Sequence, residues 1–257
     1  MRFLENEVDS LQRMQLTDLA RAFSGDPELR LEISYLSYYD AAARTAAVSA
    51  FWKDYPQPEA MAGMKADLYL RTYGSAWYSD AQDIAAFLAW SADSFRFPEL
   101  ARQLFALGEE HRLEAVCLLR RPGMRRAFAV RNRRYGSYYA AKAGMHRGRR
   151  EVADALLTAL AAYRCVCAAG EDRLAAVSLL RECCREAGMP DEAAERSLDF
   201  PDRMRRQETT AEAARECRQV LLAAVQALIA AGGPTAERSI LTSRKWPALR
   251  RLSRFLT

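Results

Sequence analysis

Apolar residues recur at intervals of three and four along most of the chain, which is the spacing of an amphipathic α-helix. The first such segment covers residues 6–23 and stops at a Ser-Gly-Asp-Pro turn at residues 24–27. Residues 190–207 are highly charged and weakly periodic, so they are expected to form a linker or a short helix. Other segments with helical spacing predict helices at residues 59–73, 80–94, 98–120, 123–142, 148–169, 171–187 and 208–231. The predicted fold is therefore mainly α, a multi-helix domain.

A different pattern runs through residues 29–52. Leu29, Leu31 and Ile33 alternate with polar residues, and from Ala46 to Trp52 every second residue is apolar. Two such runs joined by a short connection predict one small β-hairpin at about residues 29–52. Because a lone hairpin is unstable in water, one of its faces is expected to pack on helices.

A weak boundary is predicted where Gly144, His146 and Gly148 follow one another. It divides the chain into an N-terminal helical region with the hairpin, residues 1–145, and a C-terminal helical region, residues 146–257. The second region is either separate from the first or continuous with it.

The composition is that of an ordinary globular protein, since 50% of the 257 residues are apolar and 28% are charged. Glu5 and Glu7 lie where a secretory signal would have basic and then apolar residues. The apolar stretch at residues 220–231 is shorter than the roughly 20 residues that a membrane span needs. We therefore expect a cytoplasmic protein without a membrane span.

Six cysteines fall in segments predicted to be helical, at positions 117, 165, 167, 183, 184 and 217. Structural zinc sites usually take paired cysteines from tight turns. Here the local spacings are Cys-x-Cys and Cys-Cys within Ala- and Leu-rich runs, with no neighbouring histidine. Buried, reduced thiols are the favoured interpretation.

Motifs for catalysis are missing from the sequence. There is no His-Glu-x-x-His, no phosphate-binding P-loop, no Gly-x-Ser-x-Gly and no dinucleotide fingerprint. Of the two histidines, His111 is expected on a charged helix face that is solvated or salt-bridged, and His146 in an exposed turn. We expect no catalytic residue, no metal and no cofactor; an enzyme would have to work with carboxylates, Lys or Tyr alone.

The most unusual local feature is a basic segment at residues 120–150. It holds eleven Arg and Lys residues and no acid, and since the whole chain carries +5, the remaining residues sum to −6. Such a segment can contact phosphates, with Tyr135, Tyr138 and Tyr139 available to stack on bases. It can also dock on an acidic protein surface, or form a solvated helix face whose arginines pair with acids elsewhere in the fold.

Several short pieces in the first 140 residues resemble, in the same order, a bacterial protein family. They are Met14–Ala20, Asp26–Leu29, Tyr35–Asp40, Val48–Trp52, Gly63–Arg71 with Gly74, Phe97–Phe105, Arg112–Glu114, Arg121–Gly123 and Ala127–Arg131. The family is the von Willebrand factor A proteins known as nitric-oxide-reductase activation proteins, related to the cobalt-chelatase large subunit. The likeness covers residues 1–140 and fades to a helical pattern beyond them.

The resemblance implies an adaptor that contacts a MoxR-type AAA+ ATPase or its client and helps to remodel or activate that client, a metalloenzyme or another complex. This chain resembles only the N-terminal region, because the Asp-x-Ser-x-Ser metal motif of the A domain is missing. The partner-binding surface is expected to include Arg112, Glu114, Arg121, Arg125, Arg126, Arg131, Arg133 and Arg134. Charge reversal at Arg126 and Arg131 is expected to weaken binding without unfolding the protein. The alternative function is nucleic-acid binding through residues 120–150.

A further resemblance concerns zincin-type metallopeptidases, in which a hairpin precedes a helix. The corresponding helix here contains Lys65–Tyr69 and lacks the histidines of a zinc site. The resemblance implies a degenerate, metal-free and inactive arrangement. A helix that simply buries Leu68 and Leu70 explains the same residues without it.

Overall fold

The computed structural model describes the backbone of residues 2–94 and 98–231 and the side chains of residues 10–94 and 98–220. The predicted mainly α fold is confirmed. The longer helices are α1 Arg2–Ser24, α2 Gln57–Leu68, α3 Ala81–Ser94, α4 Pro98–Arg120, α5 Arg125–Gly148, α6 Val152–Ala169, α7 Leu174–Glu186, α8 Asp191–Met204 and α9 Thr210–Ala231. A π-helical stretch, Tyr69–Ser75, and a short α-helical turn, Ala76–Tyr78, continue α2. Two 3-10 turns, Ala50–Asp54 and Pro122–Met124, complete the helical elements of the described chain.

Of the two alternatives for residues 190–207, the helix is the one observed, as α8. Pro190 precedes the helix and Asp191 and Glu192 lie in its first turn, where acids stabilise the helix dipole. Its buried side chains lie along one face of the helix, at Ala193, Ser197, Leu198, Phe200, Pro201 and Met204. Because Ala193, Ser197 and Pro201 on this face are small or weakly apolar and charged residues lie between them, the apolar periodicity of the segment is weak.

The predicted single hairpin is corrected to a three-stranded mixed sheet. Strands β1 Arg30–Ser34, β2 Tyr38–Asp40 and β3 Thr45–Ser49 lie in the order β1-β3-β2. The pairing of β2 with β3 is antiparallel, but β1 and β3 run parallel. The five residues of β3 are all buried, as expected for a central strand rather than one arm of a hairpin. The alternating strand pattern that was predicted to reach Trp52 ends at Ser49, and the 3-10 turn follows it.

The chain forms two compact units that are not consecutive in sequence. The first unit contains the described residues of Met1–Ser79 together with Val116–Arg131. The second contains the described residues of Asp80–Ala115 and Asn132–Thr257. Helices α4 and α5 thus contribute residues to both units, and the predicted division at 145/146 falls inside α5.

The first unit packs α1 and α2 on the sheet. Its apolar core contains Leu16, Ala20, Leu29, Leu31, Ala46, Val48 and Leu68. In α2, a Cβ on Gly63 would lie 2.3 Å from the indole ring of Trp52, which is fully buried. Glycine is therefore required where this helix approaches the indole.

The second unit is an all-helical core built around α6. Val152–Ala169 is the one helix of the described chain that is long and apolar enough to cross a membrane, and 78% of it is buried inside the protein. Five of the six cysteines belong to this unit and Cys117 to the first; all six are buried and none forms a disulfide, as expected for small core residues. A Cβ on Gly108 of α4 would lie 2.9 Å from Phe200, Met204 and Cys217, so α4 passes very close to α8 and α9.

Candidate functional site: an exposed basic turn and buried ion pairs

The turn between α4 and α5 carries the exposed part of the basic segment that belongs to the first unit. Arg120, Arg121, Arg125 and Arg126, here called the basic turn, are all exposed. None of the four forms an ion pair with a carboxylate of the described chain. Leu119, which precedes them, is 79% exposed. The basic turn is therefore a cationic surface without an internal counter-charge among the described residues.

An aromatic cluster lies against this turn. The Arg121 guanidinium lies over the ring of Tyr73, 5.6 Å from its centroid. Tyr73 contacts Phe23 edge-on, with ring centroids 5.8 Å apart, and its hydroxyl lies 3.2 Å from that of Tyr78. This hydrogen bond, and secondly burial, raises the pKa of Tyr78. Trp77 is exposed and donates its indole N–H to the Phe23 carbonyl at 2.9 Å.

The π-helical stretch Tyr69–Ser75 positions these rings. Such stretches are rare and frequently occur at functional sites. The cluster is not among the predicted site residues, although Tyr69, Tyr73 and Trp77 recur every four residues and this spacing places them on one face of a helix.

Arg131 lies in the interior of the first unit. Its Nε donates to Asp67 Oδ1 at 2.9 Å. The other Asp67 oxygen accepts the Trp52 indole N–H at 2.8 Å and the Ser49 backbone N–H at 3.1 Å. Asp67 and Arg131 side chains are 0% and 3% exposed. The expectation that Arg131 contacts a partner is thus corrected, because its charge is neutralised inside the fold.

Arg112 is buried in the second unit. Its guanidinium donates to both carboxylate oxygens of Glu109, at 2.7 and 2.8 Å, and to the Glu208 carbonyl at 2.9 Å. Thr210, at the start of α9, donates its hydroxyl to Glu109 at 3.2 Å. The guanidinium therefore joins α4 to α9, and Arg112 is not part of a surface.

Glu114 is also an interior residue of the second unit, only 2% exposed. It accepts hydrogen bonds from Asn132 Nδ2 on α5 and from Arg164 NH1 on α6, the latter at 3.3 Å. The expectation that Glu114 contacts a partner is therefore corrected.

His111 of α4 is also buried, which corrects the expected solvated position. Burial, followed by the charges of Arg164 and Arg205, holds the pKa of His111 well below its usual value. His111 is therefore neutral at neutral pH.

The other predicted partner-binding arginines, Arg133 and Arg134, lie in the part of α5 assigned to the second unit. Arg133 is exposed and has Glu171 at 4.0 Å, at the outer limit of an ion pair. Arg134 is half-buried. Three tyrosines on the same helix are half-buried and in contact: Tyr135 stacks on Tyr139 at 5.8 Å, and Tyr138 meets Tyr139 edge-on at 5.4 Å.

His146 was expected in an exposed turn, but it is buried at the end of α5. Its Nδ1 lies 2.6 Å from Glu151 Oε2, and Asp154 in the first turn of α6 belongs to the same cluster. Burial raises the pKa of the Asp154 carboxyl to about 6. The backbone folds back here because Arg150 adopts a left-handed conformation, with φ of 57°.

A protein of Bacillus subtilis is similar in sequence to part of this chain. The chain is 32% identical over 160 residues to Uncharacterized protein YojO of Bacillus subtilis strain 168. The matched region is 62% of this chain but 25% of that protein, so the chain spans about a quarter of the relative that it matches. No model of a known protein family matches the chain, and no solved structure matches it.

Proposed function

We propose that this chain is a non-catalytic docking region of an adaptor for a MoxR-type AAA+ ATPase, which helps the ATPase to remodel or activate a client enzyme, such as a metalloenzyme. The resemblance of residues 1–140 to the nitric-oxide-reductase activation proteins supplies the class of partner. The observation that carries the proposal is the basic turn, where four exposed arginines have no ion-pair partner among the described residues.

The composition of this surface favours a protein partner. Interfaces are enriched in Arg, Tyr and Trp, which combine a large contact area with hydrogen-bonding groups. The basic turn has Arg121 on the ring of Tyr73, with exposed Trp77 in the same aromatic cluster and Leu119 one residue before the turn. An acidic partner surface would complement the arginines, and an apolar patch would cover the aromatic rings.

The basic segment as a whole, residues 120–150, is less suited to binding single-stranded nucleic acid. That mode of binding uses separate aromatic rings on which successive bases stack. The tyrosines of the basic segment that could serve this purpose, Tyr135, Tyr138 and Tyr139, are half-buried and pack on one another. Nucleic-acid binding therefore becomes one outcome of the test below.

The test is an isothermal titration calorimetry experiment, in which this chain is titrated with the MoxR-type ATPase encoded in the same genome. The test variant is Arg125→Glu/Arg126→Glu, and the control is Arg185→Glu/Arg206→Glu, which changes the charge equally at two exposed arginines. We expect the dissociation constant to rise at least tenfold in the test variant, which corresponds to about 1.4 kcal/mol. The control should stay within about threefold.

Equal affinity in the two variants would remove the basic turn from the interface. Failure to bind the ATPase, together with RNA binding whose affinity falls steeply with added salt, would replace the adaptor proposal with the nucleic-acid function. Circular dichroism of all variants separates loss of binding from loss of fold.

A further inference from the structure

Three potential metal ligands meet at the turn between α5 and α6. His146 comes from the last turn of α5, Glu151 is the residue that precedes α6, and Asp154 lies in the first turn of α6. One nitrogen or oxygen atom from each of the three lies within 4.8 Å of the other two. All three residues belong to the second unit, so one compact core holds them.

The backbone of the turn explains why they meet. The Glu151 N–H donates to the His146 carbonyl at 2.9 Å, and the Arg149 N–H donates to the same carbonyl at 3.1 Å. Together with the left-handed Arg150, these bonds reverse the chain within three residues. The side chains at 146, 151 and 154 are thereby held on a fixed frame rather than on a loose loop.

The imidazole also has unused bonding capacity. His146 is only 7% exposed, and with Nδ1 shared with Glu151, its Nε2 is buried without a hydrogen-bond partner. Buried polar atoms normally have a partner, so an unsatisfied ring nitrogen requires an explanation. Within the described chain, the two neighbouring carboxylates are the groups that would share a cation with the imidazole.

We propose that His146, Glu151 and Asp154 bind a divalent transition-metal ion, with one imidazole nitrogen and two carboxylate oxygens as the protein ligands. This donor set is typical of ions such as Zn²⁺, Co²⁺ and Mn²⁺. Metal–ligand bonds of about 2.0–2.2 Å place two ligands of one ion roughly 3–4 Å apart. Binding would open the 2.6 Å contact between His146 Nδ1 and Glu151 Oε2 and draw ligand atoms now up to 4.8 Å apart into this range. Glu151 is 30% exposed, which leaves a path for the ion and room for water ligands.

The ion would join α5 to α6 in the second unit. This role does not depend on the proposed adaptor function, because it concerns neither the basic turn nor any partner. It also revises the expectation of a metal-free protein, since neither the spacing of these three residues nor their burial was recognisable from known metal motifs.

The test uses the full 257-residue chain after chelation and dialysis, titrated with CoCl₂ and, separately, with ZnCl₂. Cobalt reports its ligands through its visible absorption, and sulfur-to-cobalt charge-transfer absorption would reveal binding by the cysteines. The site variants are His146→Gln, Glu151→Gln and Asp154→Asn. The control is Asp199→Asn, an exposed carboxylate of the same unit.

We expect one equivalent of Co²⁺ without sulfur absorption, and an affinity at least tenfold weaker in each site variant but unchanged in the control. Zn²⁺ should raise the melting temperature of the wild type and the control, and not that of His146→Gln. If Asp154→Asn does not fold, the affinity of Glu151→Gln, a change at a partly exposed residue, is compared with that of the control instead. Absence of binding, sulfur-bound cobalt, or equal affinity in His146→Gln and the control would overturn the site and leave a hydrogen-bonded turn.

Discussion

Replacement of Arg131 by Met tests the reassignment of this residue from the surface to the core. The substitution keeps much of the side-chain volume and removes the charge opposite Asp67, a fully buried carboxylate. Removal of one partner of a buried ion pair costs about 3–5 kcal/mol, because the remaining charge is left uncompensated. Asp67 keeps the hydrogen bonds from Trp52 and Ser49, each contributing about 1 kcal/mol. The expected loss is therefore near the lower end, about 3 kcal/mol.

The control for Arg131→Met is Arg126→Met, the same chemical change at an exposed position of the same helix. Its cost should lie within about 0.5 kcal/mol, as for other surface substitutions. The double variant Asp67→Asn/Arg131→Met should recover part of the loss, since a neutral amide needs no counter-charge and still accepts from Trp52.

The assay is urea unfolding monitored by far-UV circular dichroism and by tryptophan fluorescence, to which Trp52 beside Asp67 contributes together with the other three tryptophans. Equal free energies of unfolding for Arg131→Met and Arg126→Met would refute the reasoning. Arg131 would then return to the partner-binding set, and a charge reversal there would be expected to weaken docking while leaving the fold intact.

Two further predictions concern packing and pH. Gly63→Ala should destabilise the protein by about 1–3 kcal/mol, because the new methyl group would meet the buried Trp52 ring at 2.3 Å; Gly144→Ala, which meets no atom within 4 Å, should be neutral or stabilising by up to about 1 kcal/mol in thermal melts. The unfolded chain protonates His111 below its usual pKa of 6.5, whereas the native state keeps it neutral, so stability should fall as the pH is lowered through that value. Urea titrations at pH 5.5–7.5 give the free energy of unfolding at each pH. Its slope against pH should be smaller in His111→Gln than in the wild type, by at most about 1.4 kcal/mol per pH unit. Identical slopes in the two proteins would contradict the burial of the imidazole.

The helices could be predicted from the sequence because their signals are local. Helix α4 matches the predicted range of 98–120 at both ends, with Pro98 in the first turn. The mixed sheet could not be predicted in the same way, because the parallel pairing of β1 with β3 is a choice of partner and not a local pattern. Alternation in residues 29–33 identified a strand and said nothing about the direction of its neighbour.

The burial of Arg112 and Arg131 could not be predicted from the sequence, because their hydrogen-bonding partners are distant along the chain. Asp67 precedes Arg131 by 64 residues, and Thr210 follows Arg112 by 98. One local signal was nevertheless present: Met124, Phe128 and Arg131 follow the spacing of a single helix face, and all three are buried. Arg126 is five positions from Arg131, about 140° around the helix, and is exposed.

The buried pair and the basic turn are connected through α5 within the first unit. Arg131 fixes this helix to α2 through Asp67, and Arg125 and Arg126 lie in its first turn. Arg121, just before that turn, lies on Tyr73 in the π-helical continuation of α2. The exposed arginines are therefore presented on a frame that is held at two points. Under the proposed function, the buried arginine would support docking without touching the partner, because binding to a preorganised surface costs less entropy.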